Sequence, residues 1–325
     1  METSGTIGVI GLGRMGGNLA LQALEKGYQV VGLDNAGATN DLIAAGLENC
    51  LSFEELRDKL PAPRIVFIYV IAGPIVEEII QEAARVFEPG DIIIDGGNSY
   101  WGDSLRRYRM LKEKGINFVD CGTSGGVEGA RNGACFMVGG EPEVVQHIGQ
   151  IFTDLAVPNG YVHAGPPGAG HFTKLVHNGI EFGMLQAIGE GIDLLTHYHE
   201  NLNLPAILET WNHGSVIRSW LMELMSRVYN EKGGFGQVPS HVEDTGEVNW
   251  LVNDAMHMEV PIPVISQSVM QLIASRDQDK TWAKAVAMMR NGFGNHPFGP
   301  NEYIASYRSF SRISDFPKDT LKHKG

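Results

Sequence analysis

TIGVIGLGRMGGNLALQALEKGYQVVGLD, residues 6–34, decides the fold. Ile7 to Ile10 is an apolar run of the kind that forms a buried strand. The glycine-rich turn Gly11-Leu12-Gly13-Arg14-Met15-Gly16 follows at once. A helical pattern runs from Asn18 to Lys26 and stops at Gly27; a second apolar run, Gln29 to Leu33, ends on Asp34. Strand, glycine turn, helix, strand and acid come in the order of the dinucleotide-binding fingerprint. The glycines allow backbone to approach a pyrophosphate, and the helix N-terminus offers unpaired N–H groups. Asp34 then selects the cofactor. Its carboxylate can accept from ribose hydroxyls and repels a 2′-phosphate, and the next arginine after this strand is Arg57, so NAD is expected over NADP. An Asp34 that merely caps the following helix would still create no NADP site.

Working outward, helical patterns begin at Thr39 and span Ser52 to Leu60. Strands are expected at Arg64–Ile71, Asp91–Asp95 and Asn117–Cys121, with helices at Gly73–Phe87 and Ser104–Lys114 between them. Such alternation predicts a largely parallel sheet covered on both faces, with its site at the carboxyl ends of the strands. Asn98 and Ser124-Gly125-Gly126 follow predicted strand ends and so are expected near the nicotinamide, although GGN and SGG alone are ordinary turns. Pro158 to Gly170 is the expected boundary. Beyond it the strand pattern gives way to helical runs at 170–198, 205–213, 215–229, 243–258, 263–276 and 280–289. The fold class is α/β: a Rossmann-like doubly wound domain over 1–165, an all-helical domain over 166–300, and a polar tail over 301–325.

Within the first of those helical runs, Lys174, His177, Asn178 and Glu181 are spaced i, i+3, i+4, i+7 and share one helix face. Leu175, Val176, Ile180, Phe182, Met184 and Leu185 surround them, which predicts a helix buried on most sides. A buried lysine and glutamate need partners or a role. A polar stripe facing water is one reading. A catalytic strip is the other, with Lys174 as a base.

With 325 residues, a net charge of −13 and a pI near 5.3, the chain suits two domains and argues against nucleic acid or an acidic membrane as partner. Cys50, Cys121 and Cys135 form no C-x-x-C, so neither a disulfide framework nor a metal site is expected. The first strand begins within ten residues of the start, leaving no room for a signal peptide, and a cytoplasmic location is expected. The most apolar stretch, Ile65 to Ile80, contains Gly73, Pro74 and two glutamates and reads as strand then helix, not as a membrane span.

Several longer motifs resemble the decarboxylating 6-phosphogluconate dehydrogenase family. They are GLGRMGGNLA, DGGNS (Asp95–Ser99), SGGVEGARNG (Ser124–Gly133), GAGHFTKLVHNGIE (Gly168–Glu181), GSVIRS (Gly214–Ser219) and RNGFGNH (Arg290–His296). The chain looks like the short bacterial branch, compatible with NAD. The resemblance implies that Lys174 takes the C3 hydroxyl proton as hydride leaves for NAD, and that Glu181 protonates the enediol left by decarboxylation. It also implies that His177, Asn178, Asn98, Ser124, Gly125 and Gly126 hold the sugar acid, and that Arg290 and His296 come from a neighbouring subunit in a dimer or higher homo-oligomer.

The chain departs from the family at the substrate's far end. Phe182 stands where a tyrosine touches the phosphate, Thr245 and Glu247 occupy a loop that supplies cations in the long form, and Leu272 replaces an arginine. Asn249 replaces the arginine of the short branch's loop, and Arg276 and Arg290 remain as phosphate cations. The expected activity is oxidative decarboxylation of 6-phosphogluconate to ribulose 5-phosphate. The alternatives are the same chemistry on a C6-modified or unphosphorylated aldonate, a hydroxyisobutyrate-type dehydrogenase that stops at the keto product, and an NAD-binding sensor.

Overall fold

A computed structural model describes residues 5–303 and 305. The chain divides into two compact units, Met1–Asn178 and Gly179–Gly325. In the first unit an eight-stranded sheet runs in the order β3-β2-β1-β4-β5-β6-β7-β8. Its strands are β1 (Thr6–Ile10), β2 (Gln29–Leu33), β3 (Glu48–Cys50), β4 (Ile65–Ile68), β5 (Ile92–Asp95), β6 (Asn117–Ser124), β7 (Ala134–Gly139) and β8 (Ala156–Gly165). The first six strands are parallel, and β7 pairs antiparallel with β6. The helices of this unit are α1 (Arg14–Glu25), α2 (Asn40–Ala44), α3 (Phe53–Lys59), α4 (Pro74–Val86), α5 (Trp101–Lys112), α6 (Gly126–Asn132) and α7 (Pro142–Leu155).

Alternation along the strands splits the core in two. Ile7, Val9, Phe67, Ile94 and Val119 join Leu19, Ile148 and Phe152 on the face covered by α1 and α7. Ile10, Val66, Ile68, Ile93 and Phe118 join Leu56, Val76, Ile80 and Leu111 under α3, α4 and α5. These side chains are almost wholly excluded from water, and at about 25 cal/mol per Å² such burial dominates the unit's stability. Local signals set the helix ends. Ser52 accepts from Glu55 N, while Glu55 reaches back to Leu51 N. Pro74 and Pro142 open α4 and α7, where a missing N–H costs nothing.

The helix α8 (Ala169–Thr196) begins in the first unit and continues into the second. There follow α9 (Leu204–Trp211), α10 (Trp220–Lys232), α11 (Glu247–His257), α12 (Pro263–Arg276) and α13 (Thr281–Gly294). Ile192, Leu204, Leu208 and Met222 form the core joining α8, α9 and α10. A Cβ on Gly179 would sit 2.3 Å from Leu251 Cδ2, so α11 approaches α8 through a residue without a side chain. No described helix is long and apolar enough to cross a membrane. The polar tail expected over 301–325 lies, beyond residue 305, outside the described residues.

One expectation is corrected. α8 is not buried on most sides: Ile180, Met184 and Leu185 are 53%, 41% and 46% exposed, and Lys174 is half-buried. An apolar sequence all round a helix needs cover all round, and this chain alone supplies it only along the first turns.

Candidate active site

The glycine turn takes the form its motif requires. Gly11 has φ +89°, and a Cβ there would lie 2.4 Å from Tyr69 O. A Cβ on Gly16 would lie 1.9 Å from Gly11 O, so the first turn of α1 rests directly on the loop. Gly13, by contrast, faces open space. α1 has no side-chain N-cap and no acid in its first turn, and Leu12, Arg14 and Met15 flank that free end. Unpaired N–H groups beside an uncrowded glycine fit a dinucleotide pyrophosphate. Asp34 stands at the end of β2. Its Oδ2 accepts from Leu12 N at 2.7 Å and its Oδ1 from Ala36 N at 2.8 Å. The backbone thus aims the carboxylate, and each oxygen keeps accepting capacity for a ribose hydroxyl.

The residues expected to hold substrate converge at the ends of β5 and β6. Ser124 Oγ lies 3.1 Å from His177 Nε2, and Lys174 Nζ lies 3.4 Å from His177 Nδ1. His177 Nδ1 is 3.2 Å from Asn178 Oδ1, and Asn178 Nδ2 donates to Asn98 Oδ1 at 3.3 Å. With its proton on Nδ1, His177 donates to Asn178 Oδ1 and accepts from Ser124 at Nε2; with its proton on Nε2, it donates to Ser124 and accepts from Lys174 Nζ at Nδ1. Five predicted residues from three segments therefore form one connected polar group. Gly125 and Gly126 open α6 with φ +114° and +59° beside Ser124. Glu181 lies one turn beyond Asn178 on α8, on the side of the helix that carries Lys174.

Arg276, Arg290 and His296 belong to the second unit. Arg276 is held by Asp244 Oδ2 and Val242 O, both at 3.2 Å. Arg290 lies on α13, and the ring of His296 packs edge-on to Phe293. In the loop before α11, Thr245 donates to the Glu247 carboxylate.

Sequence reasoning missed the supports beneath these groups. Asp95, at the end of β5, is fully buried; it pairs with buried Arg107 at 3.0 Å and accepts from Gly97 N at 3.1 Å, fixing the turn that carries Asn98. Its register partner on β6, Asp120, is equally buried and accepts from Gly168 N at 2.6 Å and His171 N at 2.8 Å, at the start of α8. A carboxylate inside each apolar strand run was the available signal, because buried charge requires a partner. The partners Arg107, Gly168 and His171 were invisible, lying 12, 48 and 51 residues away.

Comparison with known proteins bears on this arrangement. Residues 6–165 match the NAD binding domain of 6-phosphogluconate dehydrogenase, and residues 170–304 match the C-terminal domain of the same enzyme. YqeC of Bacillus subtilis, whose name marks its 6-phosphogluconate dehydrogenase activity as not yet established, is 43% identical over 89% of this chain and 98% of its own. The NAD(+)-dependent decarboxylating 6-phosphogluconate dehydrogenase of Haloferax volcanii is 38% identical over 89% of this chain and 97% of its own. The solved 6-phosphogluconate dehydrogenase of Plasmodium falciparum, studied with NADP+ and with 6-phosphogluconate, superposes with a TM-score of 0.76 at 28% identity, covering 93% of this chain and 68% of that one.

Proposed function

The chain belongs to the 6-phosphogluconate dehydrogenase family, and from that premise we propose that it oxidises 6-phosphogluconate at C3 and decarboxylates the product to ribulose 5-phosphate and CO2. The observation that carries this reading is the connected group Ser124–His177–Lys174 with Asn178–Asn98, assembled where β5 and β6 end. NAD, when bound, supplies the hydride acceptor. Asp34 at the end of β2 favours it over NADP, as does the name of the Haloferax relative.

Lys174 takes the proton of the C3 hydroxyl as the C3–H bond breaks. In the resulting 3-keto acid the C1–C2 bond breaks, CO2 leaves, and the electron pair moves to the C3 oxygen. Lys174, now protonated, donates to that enolate oxygen. Glu181 then delivers a proton to the carbon that bore the carboxylate, which becomes C1 of the pentose. Asn98, Ser124 and Asn178 position the acid and its hydroxyls, and His177 orients Lys174. Arg290 and His296 complete the site from a neighbouring copy in a homo-oligomer.

A second substrate reading is favoured by one observation. Arg276, one of the two cations left for a phosphate beside Arg290, is already engaged by Asp244, while Phe182 lacks a hydroxyl and Glu247 adds a negative charge. Each lost hydrogen bond to a charged group costs about 1.5–3 kcal/mol, or one to two decades in affinity. An aldonate altered at C6 or lacking the phosphate therefore stands beside 6-phosphogluconate.

The test is a screen of aldonates with and without a 6-phosphate, following NADH and CO2 together. Equal yields of both products from 6-phosphogluconate are expected. NADH without CO2 would replace the decarboxylase reading with a plain hydroxyacid dehydrogenase. Efficient turnover confined to the unphosphorylated acids would establish the second substrate.

A further inference from the structure

We propose that β6 fixes the height of the base above the sheet: Gly122 leaves the room Lys174 occupies, and Asp120 anchors the helix from which Lys174 projects. The proposal rests on the reading of Lys174 as the base. A Cβ on Gly122 would stand 2.4 Å from Lys174 Cβ, closer than real side chains come, and 3.0 Å from Gly170 O, a tight contact. The same closeness recurs beside it. A Cβ on Gly170 would lie 2.4 Å from Asp120 O, and one on Gly139 would lie 2.6 Å from both Asp120 Oδ1 and Gly170 N. β6, β7 and the first turn of α8 thus meet through three glycines, backbone against backbone.

Asp120 supplies what holds them there. A helix start leaves four N–H groups without intrahelical partners. Here two such amides, Gly168 N and His171 N, are taken by the two oxygens of one fully buried carboxylate that belongs to the sheet. The positive end of the helix dipole stabilises that charge. A cap supplied by the sheet ties the axial position of α8 to β6, which a local cap would not do. Lys174 sits in the second turn, close to this anchor, and β6 ends in Ser124, which contacts His177. One strand therefore sets both the base and the group that orients its neighbour. Asp120 and Gly122 are positioning residues: neither needs to touch substrate.

The experiment uses the full-length enzyme and whichever aldonate the wild type oxidises. Gly122→Ala should lower kcat about 10- to 100-fold, because an error of about 1 Å in a reacting group has that effect. The affinity for NADH and the KM for NAD should stay within about twofold, since the cofactor turn lies on other strands. Asp120→Asn keeps one accepting oxygen and should retain more kcat than Asp120→Ala. Hydrogen exchange over residues 168–178 should quicken in Asp120→Ala and stay near wild type in Gly122→Ala. A wild-type kcat in Gly122→Ala would overturn the proposal, as would losses of kcat and NADH affinity in equal proportion. If no aldonate is oxidised by the wild type, it is the base reading that fails. Exchange still decides the anchor, and unchanged exchange in Asp120→Ala would remove it.

Discussion

In the proposed reading a single carboxylate, Asp34, carries the choice of cofactor. Its orientation is set by Leu12 N and Ala36 N, so a substitution changes what the ribose meets while the glycine turn loses one outside contact. Asp34→Ser should raise kcat/KM for NADP relative to NAD by about 10- to 100-fold, the removal of a like-charge clash with the 2′-phosphate. Steady-state kinetics with both cofactors checks this, and a wild type that already prefers NADP would refute the assignment. In the proposed mechanism Lys174 answers for two tasks, taking the proton and stabilising the enolate oxygen. Lys174→Met should therefore lower NADH formation by at least about 10³-fold. Glu181→Gln should leave hydride transfer more intact and slow proton delivery, which appears as an NADH burst followed by slow turnover. Near-normal NADH formation in Lys174→Met would mean that another group is the base.

Between elements, an ion-pair network ties α4 to α5 and α5 to the sheet. Glu77 on α4 meets Arg106 and Arg107 on α5, and Arg107 continues to Asp95 on β5. Arg106, and more weakly Arg107, hold the Glu77 carboxyl down from its ordinary 4.5 to about 2. A carboxylate with a depressed folded pKa adds stability that is complete above about pH 4.5 and is lost as pH falls toward 2. Glu77→Gln should cost about 1–2 kcal/mol near neutral pH, Arg106 being partly screened by water, and should flatten the loss of stability between pH 5 and 3. Urea unfolding at the two pH values measures both effects; an unchanged slope would show that the network adds nothing.

The same scale explains what the sequence made legible. β1, β2, β4, β5 and β6 are apolar runs with turn residues after them, and their alternation with helices declared a parallel sheet. β3 is three residues long, and β8 contains Pro158, Asn159 and Gly160, which read as a boundary but form a bulged strand against β7. β7 runs antiparallel to β6 although the short α6 separates the two, so strand–helix alternation alone does not reveal its direction. The strip on α8 was legible because i, i+3, i+4, i+7 is a local rule. The anchor at Asp120 was not, because its amides reach it only after the chain has folded.

For the whole molecule, α13 poses the question of what surrounds it. None of its residues is buried, and Trp282, Met288, Met289 and Phe293 are each more than 60% exposed. Such an apolar helix needs cover, and the exposed Ile180, Met184 and Leu185 of α8 need it too. In the proposed homo-oligomer a second copy would cover both in a closed dimer, the arrangement expected when Arg290 and His296 complete a neighbour's site. Complementation tests that assembly directly. Lys174→Met and His296→Ala subunits are each expected to be inactive as homodimers. A mixed dimer would pair the intact Lys174 of one subunit with the intact His296 of the other at one of its two sites. With random pairing, half the dimers are mixed, so about a quarter of wild-type activity should return. Tagging the two subunits differently and purifying the mixed dimer should raise that to about half. A verified mixed dimer without activity would show that each subunit builds its own site, and a fully active monomer would show that no neighbour is needed at all.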